Sequence, residues 1–229
     1  EVAGSSESFS RLCHCWNELT VAYRLYGITE SGRHCVLGVS VELSEAEVHW
    51  RKFLESLIAR GLHGLKLIVS DNHVGLKAAR MSVFPSVPWQ RCQFHLQQNA
   101  TAHIPRKSMQ QEVHNDIRDV FNMPTRSDAE IQLKKLIEKY GETAPDLSSW
   151  LENELPEGFT VFNVEPDSLN ARRKFRTTNM VEFQNRELKK RTRCIRVFPN
   201  KESLLRIATA LLIELDEKWL ANGKVYLKG

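Results

Sequence analysis

The sequence predicts an α/β fold: a mixed sheet core interrupted by an all-helical insertion. Three observations predict it. The first part of the chain reads β-β-α-β-α-β, an antiparallel pair followed by parallel strands with helical crossovers. From Gln97 to Pro156 no strand pattern appears, and Pro105, Pro124, Pro145 and Pro156 punctuate amphipathic helices. The composition is that of a globular protein, 41% hydrophobic and 26% charged over 229 residues, enough chain to bury a full core.

Each element has a local reason. Thr20–Tyr26 and Cys35–Val41 are β-rich runs on either side of the turn signal Glu30-Ser-Gly-Arg33, which makes a hairpin. Ser44-x-x-Glu47 is a capping-box pattern, so a helix is expected over Glu45–Arg60, with Val48, Phe53, Leu54, Leu57 and Ile58 on its apolar face and Gly61 closing it. Leu65–Ser70 is an apolar run of strand length that ends in Asp71. A helix over Val74–Val83 and a strand over Trp89–Arg91 come next. In the insertion, helices are expected over Met109–Phe121, Ser127–Tyr140 and Asp146–Glu154. Gly158–Val164 reads as a short β-run, Asn179–Arg193 as a long basic helix, and Lys201–Trp219 as an apolar closing helix. The domains expected are therefore residues 1–18, 19–96 (first part of the core), 97–157 (insertion) and 158–229 (last part of the core). Residues 1–18 lack the alternation of a central strand and are expected to be disordered or poorly packed.

Charge and cysteine content narrow the function. The segment Arg172–Arg196 holds ten Lys and Arg against Glu182 and Glu187, so the remainder of a chain of net charge +4 is acidic. A basic stripe on such a body suits a polyanion; the plain alternative is a solvated helix face. No apolar run is long enough for a membrane span, and the start has no secretory pattern, so a cytoplasmic protein is expected. Five scattered cysteines make no disulfide framework.

Two motifs carry chemistry. The first is Ser70-Asp-Asn-His-Val-Gly-Leu-Lys77, followed by Trp89-Gln-Arg-Cys-Gln-Phe-His95. Asp71 stands at a strand end, a rigid mount for a metal-binding carboxylate; a lone strand-end Asp is otherwise a cap for the next helix. Cys92 and His95 form one Cys-x-x-His pair, half of a zinc site, with the core as the alternative home for both. The only other close group, Cys13-His14-Cys15, is crowded and has the wrong spacing. The second motif is Thr177-Thr-Asn-Met-Val-Glu182-Phe-Gln-Asn-Arg-Glu-Leu-Lys-Lys-Arg-Thr-Arg193. Asn179 and Glu182 also fit a helix start, and helical spacing puts Glu182, Arg186, Lys189 and Arg193 close to one face.

The order and spacing of these motifs resemble the Mutator-type transposases of bacterial insertion sequences, over about nine-tenths of the chain. The resemblance implies a ribonuclease-H-like core with three acidic ligands for Mg2+ or Mn2+, the second and third separated by the helical insertion. It makes Asp71 and Glu182 metal ligands and catalytic residues, and makes His95 of the Cys92/His95 signature a partner near the catalytic centre. With the basic stripe, it makes Arg176, Asn185, Arg186, Lys189, Lys190 and Arg193 contacts to DNA. The implied partners are element ends and target DNA, with a homo-oligomer when the protein is complete. The first acidic ligand should fall near Ser5, but no Asp precedes Asp71, and Glu7 is the nearest carboxylate to that place. The expectation is the catalytic portion of a transposase, truncated and with an aberrant start. The alternative is a catalytically inactive DNA-binding remnant.

Overall fold

The computed structural model describes residues 2–8, 21–29, 31–42, 44–163, 172–173, 175–177, 186, 190–191 and 200–222. The chain divides into two compact units, one formed by Glu1–Val87 with Thr178–Gly229 and the other by Pro88–Thr177.

The first unit is built on strands β1 (Val2–Ser8), β2 (Val21–Ile28), β3 (His34–Glu42) and β4 (Ile68–Ser70). Within it the strand order is β3-β2-β1-β4. β1 runs antiparallel to β2, from Val2 opposite Gly27 to Ser8 opposite Val21, and parallel to β4, with Gly4 level with Ser70. This corrects the expectation of a poorly ordered start over residues 2–8; residues 9–18 lie outside the described residues. The physical reason is that β1 has a neighbouring strand on each side. Backbone ladders from both sides order a Gly- and Ser-rich segment that has no hydrophobic alternation to announce it.

One face of this sheet is covered by α1 (Glu47–Ala59), which buries Trp50, Phe53, Leu54 and Leu57. Trp50 stacks on Tyr23 of β2, with ring centroids 3.9 Å apart. The other face is covered by α7 (Lys201–Ala221), whose Ala208 and Leu212 pack with Tyr26. Tyr23 and Tyr26 are three residues apart on one strand, so strand alternation sends them to opposite faces. Asn200 caps α7 by accepting from the Ser203 amide at 2.8 Å. Asp216 Oδ1 accepts from the Val36 amide of β3 at 2.8 Å, and Lys201 Nζ donates to Glu42 at 2.9 Å.

The capping box at Ser44 does not form. α1 starts at Glu47 behind Ala46, with no side-chain cap. The glutamate of the expected box is engaged elsewhere: the Glu47 carboxylate pairs with Arg51 one turn on, and does not reach back to Ser44. The other end is as expected. Gly61 at φ +97° follows the helix, its amide donates to Ile58 and the Leu62 amide to Leu57, a complete Schellman closure. α2 (Val74–Val83) packs against α1.

The second unit holds β5 (Trp89–Arg91), α3 (Gln93–Ala100), α4 (Gln110–Asn122), α5 (Arg126–Gly141) and α6 (Pro145–Glu154). Leu96, Ile117, Phe121, Leu133, Leu151 and Phe159 are among the residues of a buried cluster in it. Thr125 caps α5 through the Asp128 amide, and Pro145 opens α6. The unit extends past the expected 97–157 at both ends. The short β-run expected at Gly158–Val164 is instead two 3-10 turns, Leu155–Gly158 and Thr160–Asn163. Packing overrides β propensity there: Phe159 and Val161 are buried, and a Cβ on Gly158 would lie 2.7 Å from Phe121 Cε1.

Candidate active site

In the first unit the site residue is Asp71, immediately after β4. Three contacts fix the loop that carries it. His73 Nε2 lies 2.6 Å from Glu45 Oε2, which ties the loop to the segment before α1. Gly75, in the first turn of α2, sits so close to that segment that a Cβ would be 2.2 Å from the Glu45 carbonyl oxygen and 3.1 Å from the Glu47 nitrogen. Ser70 Oγ donates to the Asp71 carbonyl at 2.7 Å. The glycine of the S-D-x-H-x-G-L-K motif is thus explained by close backbone approach, and its histidine by its contact with the Glu45 carboxylate. Glu45 had no signal in the sequence, because its partner is 28 positions away and its own helix-start pattern pointed elsewhere.

The parallel register of β1 and β4 bears on the first acidic ligand. Gly4 is level with Ser70, so one step further along both strands come Ser5 and Asp71. Ser5 is the position where the resemblance asks for a carboxylate. Glu7 stands two residues further along β1.

In the second unit, the W-Q-R-C-x-x-H motif proves to be an anchor. Gln90 Oε1 accepts from the Val161 amide at 2.7 Å, and Gln93 Nε2 donates to the Gly158 carbonyl at 2.8 Å. Arg91, 3% exposed, pairs with Glu154 and with Glu157, the latter at 3.0 Å. Cys92 is fully buried at the N-cap of α3, and His95 lies one turn on, half-buried, its ring edge-on to Phe94. The Gln93 amide donates to the Arg176 carbonyl at 2.9 Å. That bond pins the chain to the start of α3 six residues before Glu182.

Arg176 itself donates to the Phe121 carbonyl and to Asn122 Oδ1, at 3.2 and 3.0 Å. Burial, with Arg173, Arg172 and Arg118 nearby, pulls its pKa down to about 10. Arg186 and Lys190 are helical and exposed. Glu182, Asn185, Lys189 and Arg193 lie outside the described residues. Cys35 and Cys92 are free thiols. Among the described residues no group of three or more His, Cys, Asp or Glu gathers to hold a metal ion. The described part of the chain therefore does not by itself complete a divalent-ion site, and it gives a zinc reading of Cys92 and His95 no further ligand.

The family model for "Transposase, Mutator family" matches residues 18–222. The chain belongs to the Mutator family of transposases. It is 52% identical to the transposase for insertion sequence element IS406 of Burkholderia multivorans, over 88% of this chain and 51% of that one. It is 36% identical to the transposase for ISRM5 of Rhizobium meliloti, over 86% and 49% of the two chains. It is 31% identical to the transposase for IS256 in transposon Tn4001 of Staphylococcus aureus, over 88% and 51%. The chain thus spans about half the length of the curated relatives it matches. No helix among the described residues is long and apolar enough to cross a membrane.

Proposed function

We propose that this chain is the catalytic portion of a bacterial insertion-sequence transposase, a protein that cuts DNA strands and joins them to a target. The observation that carries the proposal is the mounting of Asp71 at the end of β4, with His73 on Glu45 and Gly75 against the same backbone. A carboxylate held by rigid elements suits an ion that must be placed to within a fraction of an ångström. Family membership and the names of the relatives support it. The order β3-β2-β1-β4, three antiparallel strands and then a parallel one, supports a ribonuclease-H-like core.

In this reading Asp71 and Glu182 are ligands for Mg2+ or Mn2+, hard ions that carboxylates select. Asn185, Arg186, Lys189, Lys190 and Arg193 grip phosphates, and His95 lies near the reacting strand. DNA is the partner, the cytoplasm the place of action, and a homo-oligomer the complete assembly.

The test is nicking of supercoiled plasmid carrying element ends, in Mn2+, by the parent chain and by Asp71→Asn and Glu182→Gln. Nicking by the parent that is lost in both variants is the expected result. Nicking that persists in both variants would overturn the roles of Asp71 and Glu182. A second reading, a non-cutting DNA-binding remnant, is favoured by one observation: the residue one step beyond Gly4, which is level with Ser70, is Ser5 and not a carboxylate. It requires no nicking by the parent together with salt-sensitive DNA binding that both substitutions leave intact.

A further inference from the structure

The end of α4 in the helical unit gathers four arginines from two parts of the chain. Arg172 donates to the Met123 carbonyl at 3.2 Å and to the Pro124 carbonyl at 2.8 Å. Arg176 takes the Phe121 carbonyl and the Asn122 side chain. These four consecutive residues are the C-terminal end of α4 and the two residues after it, where unsatisfied carbonyls carry the negative end of the helix dipole. Arg172 and Arg176 are thus occupied in closing the helix, and Arg172 also lies over the Phe162 ring at 4.6 Å. Arg118 stands on α4 one turn before Asn122, and Arg173 is the chain neighbour of Arg172; both are exposed.

Among the described residues the charge of this cluster is not fully balanced. The carbonyls offset roughly half a charge. Among the described residues no carboxylate pairs with any of the four, and Asp119, beside Arg118 in the chain, pairs with none of them. By contrast Arg91 and Arg126 in the same unit each rest on a glutamate. The two inner members are held in place, both by hydrogen bonds and Arg172 also by a ring. Two exposed guanidiniums beside a held pair concentrate positive charge at one place, and their planar donors can meet phosphate oxygens in pairs.

We propose that Arg118 and Arg173, set on the inner pair Arg172 and Arg176, are a second grip on the phosphate backbone of duplex DNA, carried by the helical insertion. The inference rests on the reading that DNA is the partner, and it needs neither a metal ion nor cutting. It gives the insertion a task apart from separating two motifs.

The test is fluorescence anisotropy of a labelled duplex with the full chain in EDTA, titrated across a range of salt. The variants are Arg118→Ser, Arg173→Ser and the double substitution, with Lys134→Ser/Lys135→Ser as a matched loss of two exposed charges elsewhere on the unit. Each phosphate contact removed should lower the slope of log K against log salt by roughly one. The double arginine variant is expected to bind several-fold more weakly, with a slope reduced by roughly two, while the lysine pair keeps the parent's values. All these side chains are exposed, and an unchanged thermal midpoint shows that the fold is kept. Equal slopes in parent and arginine variants, or an equal loss in the lysine pair, would overturn the grip while leaving DNA as the partner. A parent that binds no duplex at all would overturn both. Loss of nicking in Asp71→Asn bears on the metal reading alone.

Discussion

Replacing Gly75 by Ala tests the mounting of Asp71 directly. Gly75 is helical and its φ is not positive, so its backbone conformation asks nothing of glycine. On propensity alone Ala is favoured by about 0.5–1 kcal/mol. The added methyl would, however, sit 2.2 Å from the Glu45 carbonyl oxygen, and ordinary contact begins near 3.4 Å, so α2 must retreat by about 1.2 Å. Every nearby atom that resists is backbone. That backbone is itself held, by Tyr23 on the Ser44 carbonyl and by His73 on Glu45. Overpacking of this kind costs roughly 1–3 kcal/mol, and rigid neighbours put it at the upper end. Set against the propensity gain, the net loss is about 2 kcal/mol. For a chain of this length that lowers the thermal midpoint by roughly 4–8 °C. Thermal unfolding followed by circular dichroism reads it. A midpoint equal to or above the parent's would refute the argument, because propensity would then have won over the close approach. The same shift carries the Asp71 loop with it, so nicking should fall further than the lost stability explains.

Two further predictions rest on the same kind of accounting. Gly61 and Gly141 both have open space where a Cβ would go, but only Gly61 has a positive φ, +97°. Gly61→Ala should therefore cost about 1 kcal/mol, and Gly141→Ala should gain about 0.5 kcal/mol, in urea unfolding; the same sign for both would contradict this. Burial alone would raise the Glu42 pKa, but hydrogen bonds from Lys201 and Ser40, with the charges of Lys201 and His49, leave it lowered. A lowered carboxylate contributes stability that is present above its ordinary pKa and lost as pH falls through the folded value. The gap in thermal midpoint between the parent and Glu42→Gln should therefore be full at neutral pH and close once the medium is well below pH 4.5. A gap that does not change with pH would exclude the charge as its source.

What was legible in the sequence was the periodic part. α2 and β5 fall at Val74–Val83 and Trp89–Arg91, as the apolar pattern and its flanking prolines predict. The insertion helices lie within a residue or so of their expected bounds, because each is amphipathic and punctuated by Pro or a cap. What was not legible depended on partners distant in sequence. β1 has no hydrophobic alternation and is ordered by strands on both sides. The segment before α1 is held instead by long-range contacts, Tyr23 on the Ser44 carbonyl and His73 on Glu45, and α1 starts only at Glu47. At the candidate site, Asp71 is marked by its motif, whereas Glu45 was invisible, since a single long-range contact to His73 leaves no periodic trace.

The two motifs also differ in what their residues do. In S-D-x-H-x-G-L-K, His73 and Gly75 serve Asp71, so the motif is one carboxylate and its mounting. In W-Q-R-C-x-x-H the polar residues Gln90, Arg91 and Gln93 turn into the helical unit, where they satisfy its 3-10 turns and two of its glutamates. The bond from the Gln93 amide to the Arg176 carbonyl ties the chain at Arg176 to the start of α3. This bond is made by backbone on both sides, so no substitution at position 93 or 176 other than proline at 93 removes its donor or acceptor. Side chains at both positions are thus free to vary without loss of this bond.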